Sequence, residues 1–140
     1  MLLLDTNVVS DAMAARPSEG VRQWFGRYDP LRIWVSSVTR AELLYGQHCM
    51  PDGRRKETLG LMIADFFERT LRTEVLGFEG ADAPFFALIG SQRRAMGRPI
   101  SQFDNQIAAS ARRRGLAVAT RNVSDFADCG IEVVNPWGAP

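Results

Sequence analysis

Short apolar segments alternate along the chain with longer segments whose apolar residues recur at helical spacing. The short segments, four to six residues long and mainly apolar, predict buried strands; they are "MLLL" (1–4), "RIWVSS" (32–37), "TEVLGF" (73–78), "LAVAT" (116–120) and "IEVVN" (131–135). Buried strands that alternate with helices are typical of a parallel sheet covered on both faces. The pattern therefore predicts an α/β fold.

Helical spacing predicts a helix in each remaining long segment. The longest runs over 54–71, where apolar residues recur three or four positions apart, as on the buried face of a helix. The predicted helices span 7–13, 18–28, 38–49, 54–71, 81–97 and 101–115.

Length and composition narrow the class of protein. The 140 residues suffice for one domain with a core that needs neither disulfides nor structural metals, so we predict a single domain over 1–140. Cys49 and Cys129 show no metal-binding spacing, which favours a cytoplasmic location. No apolar run approaches the roughly 18 residues that a membrane span needs. The net charge of +1 argues against a broad basic face for nucleic acid.

Acidic or amide side chains follow three of the predicted strands. Asp5 directly follows the first strand, Glu42 lies in the helix after the second, and Asn122 and Asp125 follow "LAVAT". Asp104 lies in the first turn of the helix that begins near 101. Because the carboxyl ends of parallel strands meet at one edge of a sheet, these side chains are expected to face a common crevice.

Helix capping is an alternative explanation for each acid taken singly. Thr39–Glu42 and Ser101–Asp104 both match the helix-start pattern in which an acidic residue follows a serine or threonine by three positions. A carboxylate in the first turn is also favoured by the helix dipole. Capping does not account for Asp5, which follows three leucines. The two interpretations remain open, and they are compatible.

Several carboxylates at one edge repel one another, and a divalent cation would offset that repulsion. Oxygen ligands without His or Cys favour a hard ion such as Mg²⁺ or Mn²⁺, which supports hydrolysis of phosphate esters. His48, the one histidine, is interpreted as a structural or surface residue.

Four blocks of the sequence carry a family resemblance: "LLLDTNVVSD" near the start, "SSVTRAELLYG" near 40, "SQFDNQIAASA" near 104 and "VATRNVSDF" near 120. In order and spacing they resemble the PIN-domain ribonucleases of the VapC toxin family, in particular its FitB-like subgroup. The resemblance implies a three-layer α/β/α PIN-like fold with a central parallel sheet. It also implies Mg²⁺- or Mn²⁺-dependent RNA cleavage and neutralisation by a VapB-type antitoxin.

The resemblance assigns roles to particular residues. Asp5, Glu42 and Asp104 match the acids that hold the metal. Many PIN domains have a fourth acid where this chain has Asn122. Asp125 is predicted to supply the missing charge as a fourth catalytic residue, and Asn122, as a neutral oxygen ligand, is the alternative at this position. The predicted supporting residues are Thr6, Asn7, Ser37, Thr120 and Asn122. Weaker substrate-binding predictions fall on Arg93, Arg94, Arg98 and Arg121, whereas the triplet Arg112–Arg114 is interpreted as favouring a helix C-terminus.

The leading hypothesis is a toxin endoribonuclease of a type II toxin–antitoxin module, in which a metal-activated water leaves 5′-phosphate and 3′-hydroxyl ends. A phosphotransfer domain of the haloacid-dehalogenase or receiver type is less favoured, because "DTN" lacks a second aspartate and the sole lysine, Lys56, lies far from a strand end. A third hypothesis is a catalytically weak PIN-fold binding module that acts with a DNA-binding antitoxin.

The expected partners are RNA, the antitoxin and a second copy of the chain, in a homodimer and a toxin–antitoxin hetero-oligomer, with no membrane contact. Four apolar residues are candidates for an interface or, equally, for core packing: Trp24, Trp34, Leu61 and Leu71.

Overall fold

A computed structural model of the protein describes residues 1–138 and contains five short strands. They are β1 (Leu2–Leu4), β2 (Ile33–Ser36), β3 (Val75–Leu76), β4 (Ala117–Ala119) and β5 (Val133–Val134). They form one parallel sheet in the order β3-β2-β1-β4-β5. β1 is therefore the central strand, with Leu3 opposite Trp34 on one side and Val118 on the other.

Six α-helices connect the strands, close to the predicted ranges. They are α1 (Thr6–Met13), α2 (Glu19–Phe25), α3 (Ser37–His48), α4 (Arg54–Asp65), α5 (Ala83–Ala95) and α6 (Gln102–Arg114). The predicted helix over 54–71 is interrupted, because α4 continues as a π-helical turn over Phe66–Thr70, which ends where the Leu71 N–H donates to the Phe66 carbonyl at 2.8 Å. Within residues 1–138, none of the helices has the length and hydropathy to span a bilayer.

The core lies on both faces of the sheet, because successive side chains of a strand point to opposite sides. Leu2 and Leu4 pack on one face with residues of α1 to α4. Leu3 packs on the other face with Ile89 of α5 and Ile107 of α6. The predicted α/β fold with helices on both faces of a parallel sheet is confirmed.

The four apolar interface candidates separate into two groups. Trp24 is buried. Leu71 packs against the core on the face of Leu2 and Leu4, and Trp34 packs against the core on the face of Leu3. Leu61 is 73% exposed on α4. Leu61 is thus the one member of this group at the surface.

A buried carboxylate joins α5 to α6. Asp82 is fully buried and contacts the guanidinium groups of Arg113 and Arg114. Burial alone would raise the pKa of Asp82, but hydrogen bonds from Arg113 and the Glu79 N–H, together with Arg114, hold that pKa below its usual range. α6 does end at Gly115, with φ 68°, as predicted, yet Arg113 and Arg114 serve this ion-pair network as well as the helix end.

Candidate active site

Asp5 lies where β1 meets α1 and is only 6% exposed. Its carboxylate accepts hydrogen bonds from the Thr6 N–H at 2.8 Å, the Thr120 hydroxyl at 2.8 Å and the Asn7 side-chain amide at 3.3 Å. Asp5 is therefore also the N-cap of α1, so capping does account in part for this acid. The three donors fix the direction of its carboxylate.

Glu42 lies in the second turn of α3, because the helix begins at Ser37 and not after Thr39, as the cap pattern Thr39–Glu42 would require. Ser36 is the N-cap, and its hydroxyl accepts from the Val38 N–H at 3.1 Å. The capping interpretation of Thr39–Glu42 is therefore wrong, since Thr39 lies buried inside the helix. The Glu42 carboxylate instead accepts from the Thr6 hydroxyl at 3.1 Å, which ties it to the residue after Asp5.

Asp104 lies in the first turn of α6, half-buried. The predicted Ser101–Asp104 cap is confirmed for Ser101, whose hydroxyl accepts a hydrogen bond from the Asp104 N–H at 3.2 Å. It is the serine side chain that caps this helix, and that contact uses the main chain of Asp104.

The segment after β4 carries the remaining predicted site residues. A short 3-10 helix spans Val123–Phe126, and Phe126 is buried whereas Asp125 and Asn122 are exposed. The Asn122 N–H donates to the Thr120 hydroxyl at 3.0 Å, but the Asn122 side chain does not cap the helix. This segment brings the Asp125 carboxylate, rather than an acid at 122, towards the other acids.

Asp5, Glu42, Asp104 and Asp125 form one electrostatic group, here called the acidic cluster. Burial raises the pKa of Asp5, and the charge of Asp125 adds to this. Burial also raises the pKa of Glu42, with added repulsion from Asp5 and Asp104. For Asp104, burial and the charges of Asp5 and Asp125 raise the pKa, opposed by the Ser101 hydroxyl and the charge of Arg93. The sheet edge thus assembles the four predicted acids.

Three of the predicted supporting residues contact the acidic cluster: Thr6, Asn7 and Thr120. Asn7 also accepts from the Arg121 N–H at 3.2 Å and so links α1 to the segment after β4. Ser37 is a correction, because it is exposed at the first position of α3 and its buried neighbour Ser36 makes the capping contact.

The four predicted substrate-binding arginines differ in their surroundings. Arg93 is a correction: it is 4% exposed, and its guanidinium donates to main-chain carbonyls. Arg98 forms an ion pair with Asp128, and Arg121 stacks over the Trp137 ring at 4.2 Å. Arg94 is exposed and remains a candidate for substrate contact.

An open groove of about 760 Å³ lies beside Glu42. Its other lining residues are Ala41, Tyr45 and Phe103, and the two aromatic side chains are 74% and 54% exposed. Helical spacing places Phe103 on the buried face of α6, and the structure shows it exposed instead. The sequence positions of these two aromatic residues could have indicated the groove, since Tyr45 follows Glu42 by three residues and Phe103 directly precedes Asp104.

The donor set of the acidic cluster fits a hydrated hard cation. Among residues 1–138, no group of three or more His, Cys, Asp and Glu side chains is arranged to hold a metal ion directly. The cluster offers only oxygen ligands, and Mg²⁺ usually keeps several waters that would bridge to such carboxylates. His48 takes no part, because it is exposed and its Nδ1 contacts the Leu44 carbonyl at 2.8 Å.

The raised pKa values make metal-free stability depend on pH. Asp5, Glu42 and Asp104 bind protons more tightly in the folded state than at their ordinary values of 3.8, 4.5 and 3.8. Their contribution to the unfolding free energy is fully present below those values and is lost as pH rises through the higher folded-state values. In EDTA, we expect the melting temperature to fall as pH rises above about 4, until the three carboxyl groups are ionised in the folded protein.

Thermal melting followed by circular dichroism checks this expectation. The lowered pKa values of Asp11 and Asp82 act in the opposite direction, but their contribution is lost only as pH falls below 3.8, outside this range. Asp104→Asn should make the slope shallower, because one of the repelling charges is gone. A wild-type melting temperature that rises over the same window would contradict the clustering of the acids.

The chain matches the PIN domain family over residues 2–130. It is similar to the VapC ribonuclease Y4jK of Sinorhizobium fredii, with 33% identity over 137 residues that cover 98% of both chains. It is also similar to the toxin FitB of Neisseria gonorrhoeae, with 32% identity over 98% of this chain and 99% of that protein. A solved structure of FitAB bound to an IR36 DNA fragment superposes with a TM-score of 0.90 at 30% identity, covering 100% of this chain and 98% of the other. The similarity thus extends over nearly the whole chain.

Proposed function

Because the chain belongs to the PIN-domain family of VapC-type toxins, we propose that it is the toxin of a type II toxin–antitoxin module and a Mg²⁺- or Mn²⁺-dependent endoribonuclease. The observation that carries the proposal is the acidic cluster, in which burial, with added repulsion between the carboxylates, raises the pKa values of Asp5, Glu42 and Asp104. Repulsion between neighbouring carboxylates is tolerated in a folded protein when a bound cation offsets it.

In this proposal Asp5 and Asp104 hold the cation, and Asp125 completes the charge around it. Glu42 holds the cation or a water beside it. When bound, the cation would neutralise charge on the scissile phosphate and lower the pKa of a water molecule.

The residues around the cluster set its geometry. Thr120, Asn7 and the Thr6 N–H fix the carboxylate of Asp5, and an oriented ligand binds with less loss of side-chain entropy. The Thr6 hydroxyl donates a hydrogen bond to Oε1 of Glu42. Oε2 of Glu42 is therefore the oxygen that would accept a proton from the attacking water.

RNA cleavage by the purified protein tests the proposal. We expect no cleavage in EDTA, recovery with excess Mn²⁺, and products that carry 5′-phosphate and 3′-hydroxyl ends. Products ending in a 2′,3′-cyclic phosphate would overturn the proposed hydrolysis, because that ending requires attack by the RNA's own 2′-hydroxyl.

We also propose a VapB-type antitoxin as the partner, with the toxin acting in the cytoplasm as a homodimer and within a hetero-oligomer. Two observations support this: the similarity to the FitAB assembly and the 73% exposure of Leu61. The purified complex of this chain with its antitoxin should not cleave RNA, and cleavage should appear when the antitoxin is removed. A protein that binds the antitoxin but cleaves no RNA under any metal condition would instead favour the binding-module hypothesis.

A further inference from the structure

Arg93 lies near the end of α5 and is almost completely buried, with 4% of its surface exposed. Its Nη1 donates to the carbonyls of Asp125 and Ala127, both at 2.9 Å, and its Nε donates to the Arg98 carbonyl at 2.8 Å. One side chain therefore ties the end of α5 to two points on the segment after β4.

The chemistry of this contact is unusual for a residue that only fills space. Burying a charged group is costly, and an apolar side chain would fill the same volume at lower cost. The hydrogen bonds of Arg93 go to main-chain carbonyls and, at 3.6 Å, to Cys129 Sγ, rather than to a carboxylate. What arginine offers at this position is a rigid planar fork that can hold several acceptors in fixed directions.

The segment that Arg93 holds, residues 123–129, is constrained at further points. Phe126 lies between the two bound carbonyls and is 1% exposed. Asp128 adopts a left-handed conformation, with φ 58°, and pairs with Arg98. A non-glycine residue in that conformation carries a cost that the surrounding contacts must offset.

Asp125 is the member of the acidic cluster that this segment presents, and it is exposed. We propose that Arg93 is a positioning residue, which fixes residues 123–129 and thereby holds the Asp125 carboxylate at the acidic cluster. This inference rests on the proposed function, because it gives Asp125 a part in binding the cation. Arg93, predicted from the sequence to contact substrate, is in this inference a residue that supports a carboxylate.

A double-mutant cycle on Mn²⁺ binding tests the inference. Free Mn²⁺ is measured by electron paramagnetic resonance for wild type, Arg93→Lys, Asp125→Asn and the double variant. Each single change should weaken Mn²⁺ binding about 10-fold, the lower end of what loss of an outer-shell partner costs. Because Arg93 acts through Asp125, the double variant should also lose about 10-fold rather than about 100-fold.

Arg113→Lys is the matched control, since Arg113 is another partly buried arginine that joins two elements but contacts Asp82 and Glu79 instead. It should lower the melting temperature and leave Mn²⁺ affinity unchanged when made alone. Combined with Asp125→Asn, it should add nothing to the loss that Asp125→Asn causes. Arg93→Gln, which keeps one amide donor group but removes the positive charge that acts on Asp104, replaces Arg93→Lys if the lysine variant does not fold. Loss of that charge alone would favour Mn²⁺, so weakened binding by this variant still supports the positioning role.

Three results are decisive. Non-additive losses support the positioning role. Additive losses would show that Arg93 affects Mn²⁺ independently of Asp125, and an Arg93 variant that melts earlier with wild-type Mn²⁺ affinity would show a structural contact only; either result overturns the positioning role while the proposed function stands. A wild-type protein that binds no Mn²⁺ and cleaves no RNA would overturn the proposed function itself, and this inference with it.

Discussion

Replacing Asp104 with asparagine is expected to reduce RNA cleavage by about 100-fold, because loss of even an outer-shell partner of a metal costs about 10- to 100-fold and Asp104 is one of the two residues proposed to hold the cation. The fold should survive, since the Ser101 hydroxyl caps α6 through the Asp104 main chain. Without metal, the variant should melt no lower than wild type, because one repelling charge is removed from beside Asp5 and Glu42.

Thermal melting with and without Mg²⁺ accompanies the cleavage assay. Mg²⁺ should raise the melting temperature of wild type and not that of Asp104→Asn. Glu19→Gln is the control, because Glu19 is an exposed acid in the first turn of α2, away from the acidic cluster. If Asp104 only favoured its helix dipole, its replacement would cost about 0.3–1 kcal/mol of stability and leave cleavage unchanged.

Replacing Asp82 with alanine should cost the most stability, about 3 kcal/mol or more, as for the loss of one partner from a buried ion pair. The change leaves Arg113 and Arg114 without the carboxylate that they share at the junction of α5 and α6. The lowered pKa of Asp82 sets the pH dependence: its contribution is present above its ordinary value of 3.8 and is lost as pH falls through the folded-state value.

Urea unfolding at pH 7 measures this loss. Asp65→Ala is the matched control, because Asp65, the last residue of α4, forms an exposed ion pair with Arg69 of the π-helical turn that should contribute at most about 1 kcal/mol. An Asp82 variant with a midpoint close to that of Asp65→Ala would show that the buried network contributes little.

The sequence predicted the parts of the fold that depend on local pattern. Apolar runs located the strands, and the stripe that includes Ile63 located α4, because burial of a face imposes a period on the sequence. The strand ends were less well predicted: the segment 73–78 contributes only Val75–Leu76 to the sheet. The π-helical turn after Asp65 has no composition signal that separates it from a continued α-helix.

The candidate site shows the same division. Asp5, Glu42 and Asp104 were located from strand ends and motifs. The cap at Ser36 rather than Thr39 was missed, because both positions offer a hydroxyl and tertiary packing decides between them. Arg93 was misassigned for a different reason: its acceptors are carbonyls some 30 residues away, and main-chain carbonyls have no sequence signature.

The Asp82 network was also missed, because its partners lie 31 and 32 residues along the chain. Arg113 and Arg114 precede a glycine, and that local setting is explained equally well by a helix end. Pairings over such separations depend on how α5 and α6 pack, which no local pattern contains.

The location of Mn²⁺ in crystals of the protein tests whether the acidic cluster holds the cation. Anomalous scattering at the manganese edge should show a peak at the acidic cluster, within direct or water-bridged reach of Asp5 and Asp104, and no such peak in Asp104→Asn crystals. A wild-type crystal with Mn²⁺ bound elsewhere and none at this edge, from protein that cleaves RNA, would contradict the account.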